Sequence, residues 1–104
     1  MICVIKTNYK REDGYCEEDL LQSSMHHLQA ASILFKRGPD LYDSGGYLLH
    51  LSIELLLKSW LLSLAGGFPG THNLQDLRQK ISAITLDIKL TKAQNKTIEL
   101  IDQL

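Results

Sequence analysis

Residues 47–64, YLLHLSIELLLKSWLLSL, constrain the fold more than any other stretch. An ordinary surface helix carries one apolar stripe. Here Leu48, Leu49, Leu51, Ile53, Leu55, Leu56, Leu57, Trp60, Leu61, Leu62 and Leu64 cover most of a helix circumference. Such a helix must be surrounded. Pro39 suits a first helical position and Asp40 the positive end of the helix dipole. Gly66 and Gly67 suit the stop, so the helix is expected to end near Ala65 and to be roughly 40 Å long at 1.5 Å per residue. Short neighbouring helices cover only part of such a rod. The remainder is expected to meet a second copy of the chain, the commonest kind of partner.

Three further helices are legible. Leu21, Met25, Leu28, Ser32 and Phe35 follow a 3.6-residue period, and Leu20, Ala31 and Leu34 widen the stripe. Glu17, Glu18 and Asp19 at one end and Lys36 and Arg37 at the other complement the dipole, and Gly38 ends the helix. Gly45 and Gly46 fall in the second turn of the apolar helix, where each costs about 1 kcal/mol against alanine. Close approach of a neighbouring helix backbone is the expected compensation, with a broken helix start the alternative. After the loop GGFPGTHN, Asn73 is placed to cap a helix with Leu74, Leu77, Ile81 and Ile84 on one face. Thr91 and Gln94 form a capping box for a last helix carrying Ile98, Ile101 and Leu104. That helix is still running at Leu104, so either its last turn frays or the native domain continues. Residues 1–16 read as an N-terminal arm, with ICVI a short strand or loose segment and NYKREDGY turn-like. The fold class expected is all-α: an up-and-down antiparallel bundle of four or five helices over residues 17–104.

At 104 residues the chain is one small domain, marginal in stability unless something else contributes. A net charge of −1 argues against a broad nucleic-acid surface. Cys3 and Cys16 do not make a disulfide framework. MICVI is too short for a signal peptide. No run reaches the roughly 18 unbroken apolar residues of a membrane span. The reading is a soluble cytoplasmic protein that does not enter a membrane.

His50, Glu54 and Lys58 interrupt the apolar helix four residues apart, each about 40° behind the last after a full turn. Glu54 ahead of Lys58 is the favourable order for an ion pair. The line is either a solvent-facing ridge or the wall of a groove in which the pair is partly buried and His50 reaches a ligand. One His and one Glu are too few ligands for a metal, and no cofactor is expected. His26 and His27 point about 100° apart and do not chelate together. His72 precedes a helix N-terminus, where backbone N–H groups attract anions. No catalytic triad, P-loop, GxGxxG or CxxC is present in the sequence.

The stretch LYDSGGYLLHLSIELLLKSWLLSLAGGFPGTHNLQDL, residues 41–77, resembles the core of the HEPN family. Those small helical domains carry a small-x3-H-x3-E-x3-K helix followed by a T-H-x-L step. Here these are Gly46, His50, Glu54 and Lys58, then Thr71, His72 and Leu74. The resemblance covers about residues 17–104. It implies a helical bundle, dimeric through its long helix, and in many members a nucleotidyltransferase partner. Some members are metal-independent ribonucleases with an Arg followed by His after four to six residues. This chain departs from that: Arg11, Arg37 and Arg78 have no histidine at that spacing. Without an arginine beside a histidine, RNA cleavage lacks its main parts.

The function expected is therefore a non-catalytic dimerisation and binding module for a nucleotide-like ligand or a partner protein. His50, Glu54, Lys58 and His72 are its candidate site, with Glu54 holding Lys58 and with Lys58 and His72 meeting an anion. A divergent ribonuclease and a purely structural dimer are the alternatives.

Overall fold

The computed structural model describes residues 8–84. The expected last helix and the ICVI segment lie outside these residues. Among the described residues three α-helices dominate, α1 (Glu17–Arg37), α2 (Tyr42–Ala65) and α3 (Leu74–Ile84), with a two-stranded antiparallel sheet of β1 (Asn8–Lys10) and β2 (Gly67–Pro69). The family of all-α folds is thus right in its bulk, but two segments read as turn and loop pair as strands. Tyr9 lies opposite Phe68 and Lys10 opposite Gly67.

The helix ends follow local chemistry. α1 has its acidic residues in the first turn and Lys36 and Arg37 in the last. A 3-10 turn at Pro39–Leu41 leads into α2. Gly66 takes φ 75°, a left-handed value that side chains disfavour, and its N–H caps Leu62 O at 2.9 Å. The chain thereby turns straight into β2. At α3, the Asn73 carboxamide oxygen accepts the Asp76 N–H at 3.0 Å, the expected cap.

α1 and α2 form an antiparallel hairpin held by small residues. Ser24 Oγ donates to Ser52 O at 2.7 Å, and Ser52 Oγ donates to Ser24 O at 2.8 Å. Both serines are buried. Each hydroxyl is satisfied by the backbone of the opposing helix, which requires close approach. Gly45 allows the same approach further along: a Cβ there would lie 2.9 Å from the Phe35 ring. The compensation for this helical glycine is an aromatic ring of α1, not its backbone.

The core gathers at the C-terminal half of α2. Leu61 and Leu62 pack with Phe68 of β2 and with Leu74, Leu77 and Ile81 of α3. Three of the four residues expected on the α3 face are buried, and Ile84 is exposed. The α1 stripe is a correction. Leu21, Met25 and Leu28 are 42%, 55% and 50% exposed, Ser32 and Phe35 are also exposed, and the inner face is Leu20, Ser24 and Ala31. Periodicity identified a face, but small residues take the side that meets α2. By length and composition Pro39–Ala65 is apolar enough to cross a membrane. Here it is the central helix, packed by α1 and α3.

The serine clamp gives a direct test. Ser52→Ala is expected to cost about 1 kcal/mol through the lost hydrogen bond. Ser52→Val is expected to cost more, about 1–3 kcal/mol, by forcing the helices apart. Urea unfolding of both variants measures the order, and equal stability of all three proteins would contradict the clamp.

Candidate functional site

The i,i+4 spacing puts His50, Glu54 and Lys58 on one side of α2, and the structure turns that side inward. Glu54 is 3% exposed and Lys58 7%. The solvent-facing ridge is excluded for this pair. Lys58 Nζ donates to Glu54 Oε2 at 2.9 Å. His50 Nδ1 lies 4.0 Å from Glu54 Oε1.

The fourth candidate arrives from a different element. The loop between β2 and α3 brings His72 Nδ1 to 2.9 Å from Glu54 Oε2. One carboxylate therefore gathers all four residues selected from the sequence. The loop is held in place by local bonds: Thr71 Oγ1 accepts the Asn73 N–H at 3.1 Å, and Asn73 caps α3. Glu54 at the base thus fixes Lys58 as expected, and it also holds His72. The His72 side chain remains 81% exposed. With Nδ1–H given to the carboxylate, Nε2 faces outward as an acceptor in the neutral ring and a donor in the protonated one. His72 is therefore oriented by Glu54 before it meets anything else. Among the described residues no three His, Cys, Asp or Glu side chains are placed to hold a metal ion.

Three aromatic residues complete the surroundings, and none was selected from the sequence. Lys58 Nζ sits 5.6 Å from the centre of the Phe68 ring, a cation–π contact. Tyr9 stacks on Phe68 with centroids 5.5 Å apart, and Tyr15 stands edge-on to both. An open cleft of about 290 Å³ is lined by Tyr9, Tyr15, Leu20, Leu55, Lys58, Phe68, Gly70 and His72. The available signal was two tyrosines in the polar stretch NYKREDGY and one phenylalanine in the glycine-rich GGFPG. Only the pairing of those stretches makes them neighbours of Lys58.

A buried ion pair that loses one partner leaves an uncompensated charge, which costs about 3–5 kcal/mol. Glu54→Ala is expected to destabilise the fold by that order, because Lys58 stays buried. The double variant Glu54→Leu with Lys58→Met is expected to recover most of the loss. Chemical denaturation of the single and double variants checks this, and additive losses would show that the two side chains are not coupled.

A family model described as HEPN domain matches residues 17–104. Comparison with curated proteins and with solved structures gives no match. The matched span contains both long helices, the Glu54 cluster and the His72 loop, while β1 and Tyr15 precede it. By that match over most of its length, the chain belongs to the HEPN domain family.

Proposed function

We propose that this HEPN domain is a non-catalytic dimerisation and binding module whose ligand is an anionic, nucleotide-like small molecule. The observation that carries the reading is the convergence of His50, Lys58 and His72 on the buried Glu54, with Lys58 and His72 also lining an open cleft. An ammonium has three donors. Glu54 accepts one, and Lys58 is among the residues that line the cleft. His72 stands at the same cleft with its ring oriented and its outer nitrogen exposed. An anion entering there meets hydrogen-bond donors whose positions Glu54 has fixed in advance, which lowers the ordering cost of binding. The ribonuclease alternative is disfavoured by the sequence, in which no arginine is followed by a histidine after four to six residues. In cells a nucleotidyltransferase is the partner that family membership suggests.

The expected result is that titration calorimetry detects binding of a nucleoside monophosphate to the wild type, with a loss of at least tenfold in Lys58→Ala. Binding to neither protein, or equal binding to both, would overturn the reading.

Dimerisation has its own surface in this proposal. Leu21, Met25 and Leu28 of α1 and Leu56 and Trp60 of α2 are all exposed. Leu21, Leu56 and Trp60 also line one shallow groove. The apolar area expected on the long helix alone is therefore shared with α1. The occupant proposed is a second copy of the chain, since a two-fold pairing buries the same stripe on both subunits. Sedimentation velocity is expected to give a dimer for the wild type and a monomer for Met25→Glu with Leu28→Glu. A wild-type monomer at high concentration would remove the dimer.

A further inference from the structure

The cluster around Glu54 lies inside the matched family span, but one wall of its cleft does not. Tyr9 and Tyr15 come from residues that precede the span. We propose that this N-terminal strap is the specificity wall of the cleft, selecting a ligand that joins a planar aromatic ring to an anionic group over the bare anion. The inference rests on the anion-binding reading above and adds to it the part of the ligand that Tyr15 recognises.

Three observations support it. First, the wall is built rigidly. β1 pairs with β2 so that Tyr9 faces Phe68 across the ladder, and the two rings stack at an interplanar angle of 20°. Tyr15 is then set at 81° to Tyr9 and 80° to Phe68. Offset-stacked and edge-to-face pairs are the preferred aromatic arrangements, so the rings hold one another in position before any ligand arrives. Arg11 ties the same strap down, donating to the Glu17 carboxylate and to Leu62 O.

Second, the rings divide their roles. Phe68 is 5% exposed and belongs to the core. Tyr9 packs against that core and is partly buried. Tyr15 is 36% exposed and lies outside the core cluster, yet lines the cleft. A large ring that packs edge-on to the core, stays partly exposed and borders a cleft is available for stacking. Aromatic faces stack on nucleobases with little dependence on sequence.

Third, the cleft places ring and charge together. Lys58 and His72 share it with Tyr15, and Gly70 adds no side chain at its rim. At about 290 Å³ it stands at the small end of ligand pockets, about 300–1,000 Å³. A single ring system with one anionic substituent suits that size better than a polymer strand.

The test uses the full chain and three probes, adenosine 5′-monophosphate, ribose 5-phosphate and adenosine. The wild type is expected to bind the nucleotide at least tenfold more tightly than ribose 5-phosphate. Tyr15→Leu is expected to erase most of that difference while leaving ribose 5-phosphate affinity unchanged, and Tyr15→Phe to restore it. Thermal melts of both variants establish that they are folded. Equal wild-type affinity for the nucleotide and ribose 5-phosphate would overturn the stacking wall and leave the anion site standing. Binding of adenosine but not ribose 5-phosphate, lost in Tyr15→Leu, would keep the wall and overturn the anion site. Binding of none of the three probes would overturn both.

Discussion

The architecture of the site depends on a single carboxylate. Glu54 sits 3% exposed on the central helix, where an unpaired charge would be costly. It is neutralised from its own helix by Lys58 and bonded from the following loop by His72. The second bond matters beyond charge. It ties the β2–α3 loop to the middle of α2. The polar cluster and the adjoining apolar core, Leu61, Leu62, Leu74 and Leu77, are therefore two sides of one packing arrangement. Polar groups inside a small domain are tolerated when every member is satisfied, and here the partners come from separate elements.

The same logic governs the α1–α2 contact. The side of α1 facing α2 is made of Leu20, Ser24 and Ala31, with Ser24 and Ser52 hydroxyls bonded across the seam and Gly45 of α2 making room for the Phe35 ring. Close approach of two helix backbones takes the place of interdigitated leucines. The larger apolar residues of α1 are thereby displaced to the outside. The proposed pairing of two copies would cover this exposed stripe and so add stability to a module of limited core size.

Much of this was legible in the sequence, for identifiable reasons. Helix ends at Glu17, Arg37 and Ala65 are written in charges, prolines and glycines that act within a turn or two of their own position. The cap at Asn73 is equally local. The candidate site was also legible, because i,i+4 spacing is a local rule and the T-H-x-L step supplied His72. What local rules do not specify is direction. Glu and Lys usually face water, so nothing in the spacing chose the groove over the ridge. The α1 stripe failed for a related reason: periodicity names a face but not its neighbour. The strand pairing was beyond reach. Strands of three residues show no alternation, and Tyr9 meets Phe68 only through long-range closure of the chain.

The boundary between β1 and α1 carries a practical consequence. The family unit begins at Glu17, but the folded unit begins earlier. A fragment cut at the family limit would strip the ladder partner from β2 and the tyrosine cover from Phe68. The freed main-chain groups and bared ring would then invite association between fragments, so an evolutionary module and an autonomously soluble one need not share the same first residue.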